Sequence, residues 1–200
     1  MPQRYPVRFF LRDGTATWHE RVDAAFAGHD LADRDSYGAF LIAHARAVLP
    51  LESALDGAAL WPEWQKRGDL LRADLGALGL DVPTALAIEP GSIAARWGLL
   101  YVLEGSRLGG AMLARQVGAG LPVAYLAAAH RDGSWGRFGD AIESAAGDAD
   151  WRAAALDGAI RGFGLFERAV RSAGLWSCPD GEVEEGVVGA AGIEPATPPV

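Results

Sequence analysis

A single cysteine, Cys178, is present in the 200 residues. No intramolecular disulfide, zinc finger or CxxC redox pair can form, and a reducing compartment fits. Long apolar runs are also missing. Phe9-Phe10-Leu11 is broken at once by Arg12-Asp13, far short of a signal-peptide core, and no later stretch approaches a membrane span. These absences predict a cytoplasmic protein with no membrane attachment. Excess positive charge is lacking as well. The net charge is −8, and five acids (Asp180, Glu182, Glu184, Glu185, Glu194) lie in residues 179–200, which hold no base, so the rest of the chain carries −3. A broad nucleic-acid-binding face is excluded on that balance.

Familiar catalytic signatures are absent too. There is no Walker lysine after a glycine loop, no GxGxxG and no GxSxG, which removes phosphate-loop, dinucleotide-binding and nucleophile-elbow enzymes. His19-Glu20-Arg21-Val22-Asp23 puts an aspartate where a zincin needs its second histidine. The residues three before the four histidines are Ala16, Phe26, Leu41 and Ala127, so the ExxH pairs of a di-iron carboxylate bundle are missing.

Helical periodicity is what the chain does contain. Half the residues are hydrophobic, an ordinary globular content, and no period-2 run of useful length is found. Apolar residues at helical spacing predict a first helix from Val7 to Gly28, with Gly28 as its C-cap. A second, capped by Asp35 or Ser36 and bent at Pro50, reaches Leu55, and a third runs from near Trp61 to Leu78. The most apolar stretch, Ser92 to Val117, reads as the central helix. Short helices at Val123–His130 and Ser134–Ala145 and a long one from Asp148 to Ala173 complete an all-α fold of about seven helices. Residues 1–178 form one helical domain in this reading. Residues 179–200, Gly-, Pro- and acid-rich and without an aromatic, are expected to be a disordered tail.

Two features of these helices invite chemistry. The neighbours of His19 one and two turns away include Thr15, Val22 and Phe26, so its side chain points inward or into a cleft. Asp23, one turn on, can hold the imidazole Nδ1–H and leave Nε2 electron-rich, the usual arrangement behind a metal-ligating histidine. A half-buried histidine at a helix seam beside a fortuitous carboxylate is the other reading of the same spacing. His44 faces inward without such a carboxylate and is expected to be satisfied in the core. His29 and His130, at helix ends, are expected to cap or to be exposed, and none of these three is counted as a ligand. The second feature is Gly105, Gly109 and Gly110 within an otherwise strong helix, where each glycine costs about 1 kcal/mol relative to alanine. Either they admit a closely packed neighbouring helix, or they clear a face for a flat, bulky ligand with the helix kinked over it. A ligating histidine on one helix and a glycine-cleared face on another are two walls that a heme needs. Arg12, two turns before His19, adds a guanidinium at the pocket edge.

With these residues in view, the chain resembles the heme oxygenase family, most closely its bacterial, phytochrome-associated members. Leu11-Arg12-Asp13-Gly14-Thr15-Ala16-Thr17-Trp18-His19 resembles the proximal-helix motif that ends in the heme-ligating histidine. Gly105-Ser106-Arg107-Leu108-Gly109-Gly110 resembles the distal glycine motif, and Leu165-Phe166-Glu167 the late helix that helps to close the pocket. The match covers residues 7–175. The resemblance implies an all-helical fold that clamps heme between a proximal and a kinked distal helix. The implied reaction is oxidative opening of heme, at once substrate and cofactor, to biliverdin, ferrous iron and carbon monoxide. It implies His19 as axial ligand, Asp23 as its acid partner, Thr15 and Phe166 as heme contacts, and Arg12 at a propionate, with Arg137 the next candidate. Gly105, Ser106, Gly109 and Gly110 border the oxygen site in the same scheme. Dioxygen, an external donor such as reduced ferredoxin, and a bacteriophytochrome receiving the biliverdin are the implied partners.

One position departs from the pattern. Mammalian members carry an aspartate after the first distal glycine, and here that residue is Ser106. A hydroxyl holds a water but is no carboxylate, so proton delivery is expected to run through waters near Arg107 or Tyr101. The same residue leaves open a heme carrier or sensor that does not open the ring. A third reading, a thiaminase-like helical enzyme with a cysteine nucleophile, is poorly served by Cys178 beyond the last helix.

Overall fold

The computed structural model describes residues 5–128, 130 and 133–172. The described residues form seven α-helices and no strand: α1 (Val7–Phe26), α2 (Arg34–Ala54), α3 (Gly68–Ala77), α4 (Ile93–Leu113), α5 (Ala124–Ala127), α6 (Ser134–Ala145) and α7 (Ala149–Ser172), with a 3-10 turn at Ala114–Gln116. The all-α expectation is met. The expected tail at 179–200, and Cys178, lie outside the described residues.

Local signals set some of the ends. Asp33 caps α2 by accepting from Ser36 N at 2.8 Å, two residues before the expected cap. Ser92 does the same for α4 through Ala95 N. Gly79, at φ +69°, turns the chain out of α3 while Leu80 N reaches back to Leu75 O. Pro50 lies within α2 without ending it.

Other ends depart from the pattern because distant residues fix them. The third helix begins at Gly68 rather than near Trp61. The Glu52 carboxylate, from α2, accepts from Arg67 N at 2.6 Å and Gly68 N at 3.1 Å, and so supplies the N-terminal cap of α3 from another helix. Asp74 treats α5 in the same way, bonding Ala124 N and Tyr125 N, and α5 is a single turn rather than a helix to His130. Gly28 is no left-handed cap; His29 closes α1 through its backbone N and its Nδ1, both on Phe26 O.

The centre of the fold is α7 rather than the more apolar α4, since α7 packs on α1, α2 and α4. Its approach to α4 is backbone to backbone. A Cβ built on Gly98 would fall 1.9 Å from Ala155 O, and one on Gly158 2.0 Å from Ala95 O. These two glycines, and not Gly105 or Gly109, are where α4 and α7 pack backbone to backbone.

Candidate functional site

A cavity of about 360 Å³ opens between α1, α2, α4 and α7. Its walls are mainly aromatic and aliphatic, as expected of a small-molecule site. Polar groups enter at a few points: Arg12, His19 and Asp23 from α1, His44 from α2, and Tyr101 and Ser106 from α4.

On the α1 wall, His19 keeps 63% of its side chain exposed. Its ring lies 5.7 Å from that of Phe163 on α7. Nδ1 is 2.9 Å from Asp23 Oδ2. A carboxylate there draws the ring proton to Nδ1 and leaves the lone pair on Nε2. Arg12 sits at the same opening, paired with Asp13 at 2.8 Å and stacked over Phe9. Thr15 does not line the cavity. It is buried, and its hydroxyl donates to Leu11 O at 2.7 Å, so it supports the wall from within. Glu167 fastens α1 to α7 by accepting two bonds from Arg21, 2.8 and 2.7 Å, and one from Arg171. Arg21 holds its carboxyl below the usual range. Its neighbour Phe166 faces the cavity, and Leu165 is core.

The opposite wall is α4, which stays α-helical through all three glycines. A Cβ at Gly105 or Gly109 would meet nothing within 4 Å, and both residues line the cavity. Of the two readings of this motif, cleared space holds at these positions, whereas Gly110 packs toward Leu126 O at 3.3 Å. Ser106 donates its hydroxyl proton to Leu103 O at 2.7 Å and accepts from Arg67 Nη2 at 2.6 Å.

No family model matches the chain. A heme oxygenase of Xanthomonas campestris pv. campestris (strain 8004) is 36% identical over 156 residues, covering 72% of this chain and 93% of that protein. The chain belongs to the heme oxygenase family. Two solved structures share the fold of this family member. The NO- and CO-bound heme oxygenase from Neisseria meningitidis superposes with a TM-score of 0.74 at 23% identity, covering 93% of this chain and all of that one. Heme oxygenase from Leptospira interrogans gives 0.63 at 16%, covering 84% of this chain and all of that one.

Within this heme oxygenase fold, sequence reasoning missed Arg67. It is buried, and it brings the cation to the Ser106 hydroxyl. Arg107, expected there, turns away to Gln65 O, Ala128 O and Glu104. Burial raises the Glu104 carboxyl above the carboxylate range, against the opposing charges of Arg107 and Arg67. His130 is neither a cap nor exposed: its Nε2 donates to Glu104 O, in the middle of α4. Tyr101 lines the cavity as expected. Arg137, paired with Glu63, does not. His44 is buried as expected but also faces the cavity, which helical spacing alone did not reveal. No helix among the described residues is long and apolar enough to cross a membrane.

Proposed function

We propose that this heme oxygenase opens heme to biliverdin, ferrous iron and carbon monoxide with dioxygen and electrons from an external donor. One observation carries the reading: a single cavity sets a carboxylate-backed imidazole on α1 against a helix face cleared by Gly105 and Gly109 on α4. The lining fits heme, since the cavity joins an aromatic interior to a free imidazole nitrogen and a guanidinium at its opening. Heme, when bound, supplies the iron that activates dioxygen and the ring that is opened. The chain supplies position. His19 holds the iron through Nε2, and Asp23 fixes the ring. Arg12 meets a propionate. Gly105 and Gly109 leave room for dioxygen beside helix backbone, and Ser106, held by Arg67, accepts from a water there. A cytoplasmic setting, a ferredoxin-type donor and a phytochrome acceptor of the product complete the reading, on the strength of the resemblance.

Mixing the protein with hemin tests it. A one-to-one complex with a six-coordinate ferric spectrum is expected. Ascorbate or reduced ferredoxin in air then bleaches the Soret band and raises a broad red biliverdin absorbance. Heme that stays intact under reductant and oxygen would leave the carrier reading, which the inward-turned Ser106 proton favours. No Soret change at all would remove both.

Gly109→Leu places a side chain in the open space of the cavity. Hemin should still bind, with ring opening at least tenfold slower or at a different meso carbon, read from single-turnover spectra and the bilin isomers. Arg12→Glu replaces attraction by repulsion at an exposed rim. Hemin affinity should fall several-fold at low ionic strength, and the difference should close at about 1 M salt, where the screening length is about 3 Å. Equal titration curves at low salt would move the propionate contact elsewhere.

A further inference from the structure

The cavity contains a second histidine in a different electronic state from the first. His44 is 9% exposed. Its ring stacks on Phe40 at 4.2 Å and meets the edges of Phe26 at 4.8 Å and Phe166 at 5.5 Å. Nδ1 lies 2.8 Å from the hydroxyl of Tyr125, itself buried. Among the described residues that hydroxyl has no other hydrogen-bond partner, so the phenolic proton goes to Nδ1 and the imidazole hydrogen resides on Nε2. Burial, with the Arg67 and His29 charges adding to it, pushes the His44 pKa down to about 3, so the ring stays neutral.

The two histidines are therefore set in opposite tautomers by their Nδ1 partners. At His19 a carboxylate takes the proton on Nδ1 and frees the Nε2 lone pair for a metal. At His44 a phenol gives a proton to Nδ1, so Nε2 carries hydrogen and cannot ligate. That N–H has no partner among the described residues, in a residue that lines the cavity. The Ser106 hydroxyl on the cavity wall is already committed, since it gives its proton to Leu103 O. Because Nε2 is not among the enclosed polar atoms and has no protein partner among the described residues, its N–H is open to a ligand in the cavity. The surrounding Phe26, Phe40 and Phe166 make this an unfavourable place for a carboxylate, so a propionate is not the acceptor. A neutral donor in an aromatic wall suits a small acceptor that gains partial negative charge on binding.

We propose that His44, with its tautomer fixed by Tyr125, donates its Nε2–H to dioxygen held in the heme pocket, directly and without an intervening carboxylate. The inference rests on the heme oxygenase reading and deepens it: His44 discriminates dioxygen, which accumulates negative charge, from carbon monoxide, which accumulates less.

The test uses the full chain loaded with hemin and reduced under carbon monoxide or oxygen. In the wild type, 15N NMR of the neutral His44 ring should show hydrogen on Nε2 and none on Nδ1, a result that needs no variant. In His44→Leu the carbonyl C–O stretch should move to higher frequency. Dioxygen should dissociate about tenfold faster, as loss of one hydrogen bond predicts, with the carbon monoxide off-rate unchanged. His44→Gln, which restores an N–H donor, should recover part of both. Tyr125→Phe releases the tautomer and should broaden or split the carbonyl band. Hydrogen on Nδ1 in the wild type, or a carbonyl stretch and oxygen off-rate unmoved in variants that bind hemin normally, overturns the proposal while leaving the function intact. Failure of the wild type to bind hemin overturns both.

Discussion

His19→Ala is expected to end biliverdin formation altogether. The side chain removed is the imidazole on the cavity wall whose Nδ1 is occupied by Asp23, and no other imidazole lining the cavity offers a free nitrogen lone pair: His44 presents an N–H there. Apolar contact with Phe26, Phe163 and Phe166 should still hold hemin, so binding weakens without vanishing. The ferric spectrum should lose its imidazole-ligated form, and the Soret band should survive reductant and oxygen. Asp23→Asn is the graded companion. It keeps the ligand and perturbs only its orientation and basicity, and an effect of about 10- to 100-fold is expected. Biliverdin formation at the wild-type rate in His19→Ala would show that the iron is held elsewhere.

The second large effect is on stability. Gly158→Ala should lower the melting temperature of the apoprotein by about 10 °C. The new Cβ falls 2.0 Å from Ala95 O and 2.8 Å from Ala95 Cα, and these are backbone atoms that no rotamer change can move. α4 and α7 must part, and the buried side chains on both helices lose contact along the seam. Overpacking of this kind costs about 3 kcal/mol, and each kcal/mol moves the midpoint by about 2–4 °C at this chain length. Gly98→Ala, 1.9 Å from Ala155 O, should behave alike. Gly105→Ala and Gly109→Ala are the opposite case. Their Cβ atoms meet nothing, and alanine favours the helix by about 0.8–1 kcal/mol, so both should leave apoprotein melting unchanged or raise it slightly. Calorimetry of the four proteins separates glycines that pack from glycines that clear space. Equal melting changes at all four positions would erase that distinction. The glycines at 105 and 109 lower helix stability in exchange for room in the cavity.

Much of this molecule is local and was readable as such. Apolar spacing at 3.6 residues gave the seven helices in order, and the chain alternates no strand pattern that could compete. The 19–23 spacing brings His19 and Asp23 within one turn, and the structure finds them 2.9 Å apart. Two turns further back, the same spacing places Arg12 at the cavity with His19. The cleared face at Gly105 and Gly109 is likewise a property of one helix, although its spacing alone left close packing as an equal choice. Motif order and resemblance joined these pieces into one pocket.

What remained hidden depends on residues brought together from distant parts of the chain. The start of α3 is set by Glu52, fifteen residues before Arg67. The cation at Ser106 comes from Arg67, thirty-nine positions away, and the tautomer of His44 from Tyr125, eighty-one away. The packing glycines differ from the cavity glycines only in what stands opposite them, Ala95 and Ala155 in one case and open space in the other. Sequence by itself determined the elements that neighbours along one helix decide, periodicity and the pairing of His19 with Asp23, while the class of ligand came from the resemblance carried by the order of its motifs. Only the tertiary structure decided which buried donor meets which acceptor, because a hydrogen bond acts over about 3 Å and the chain reveals that separation only once it has folded.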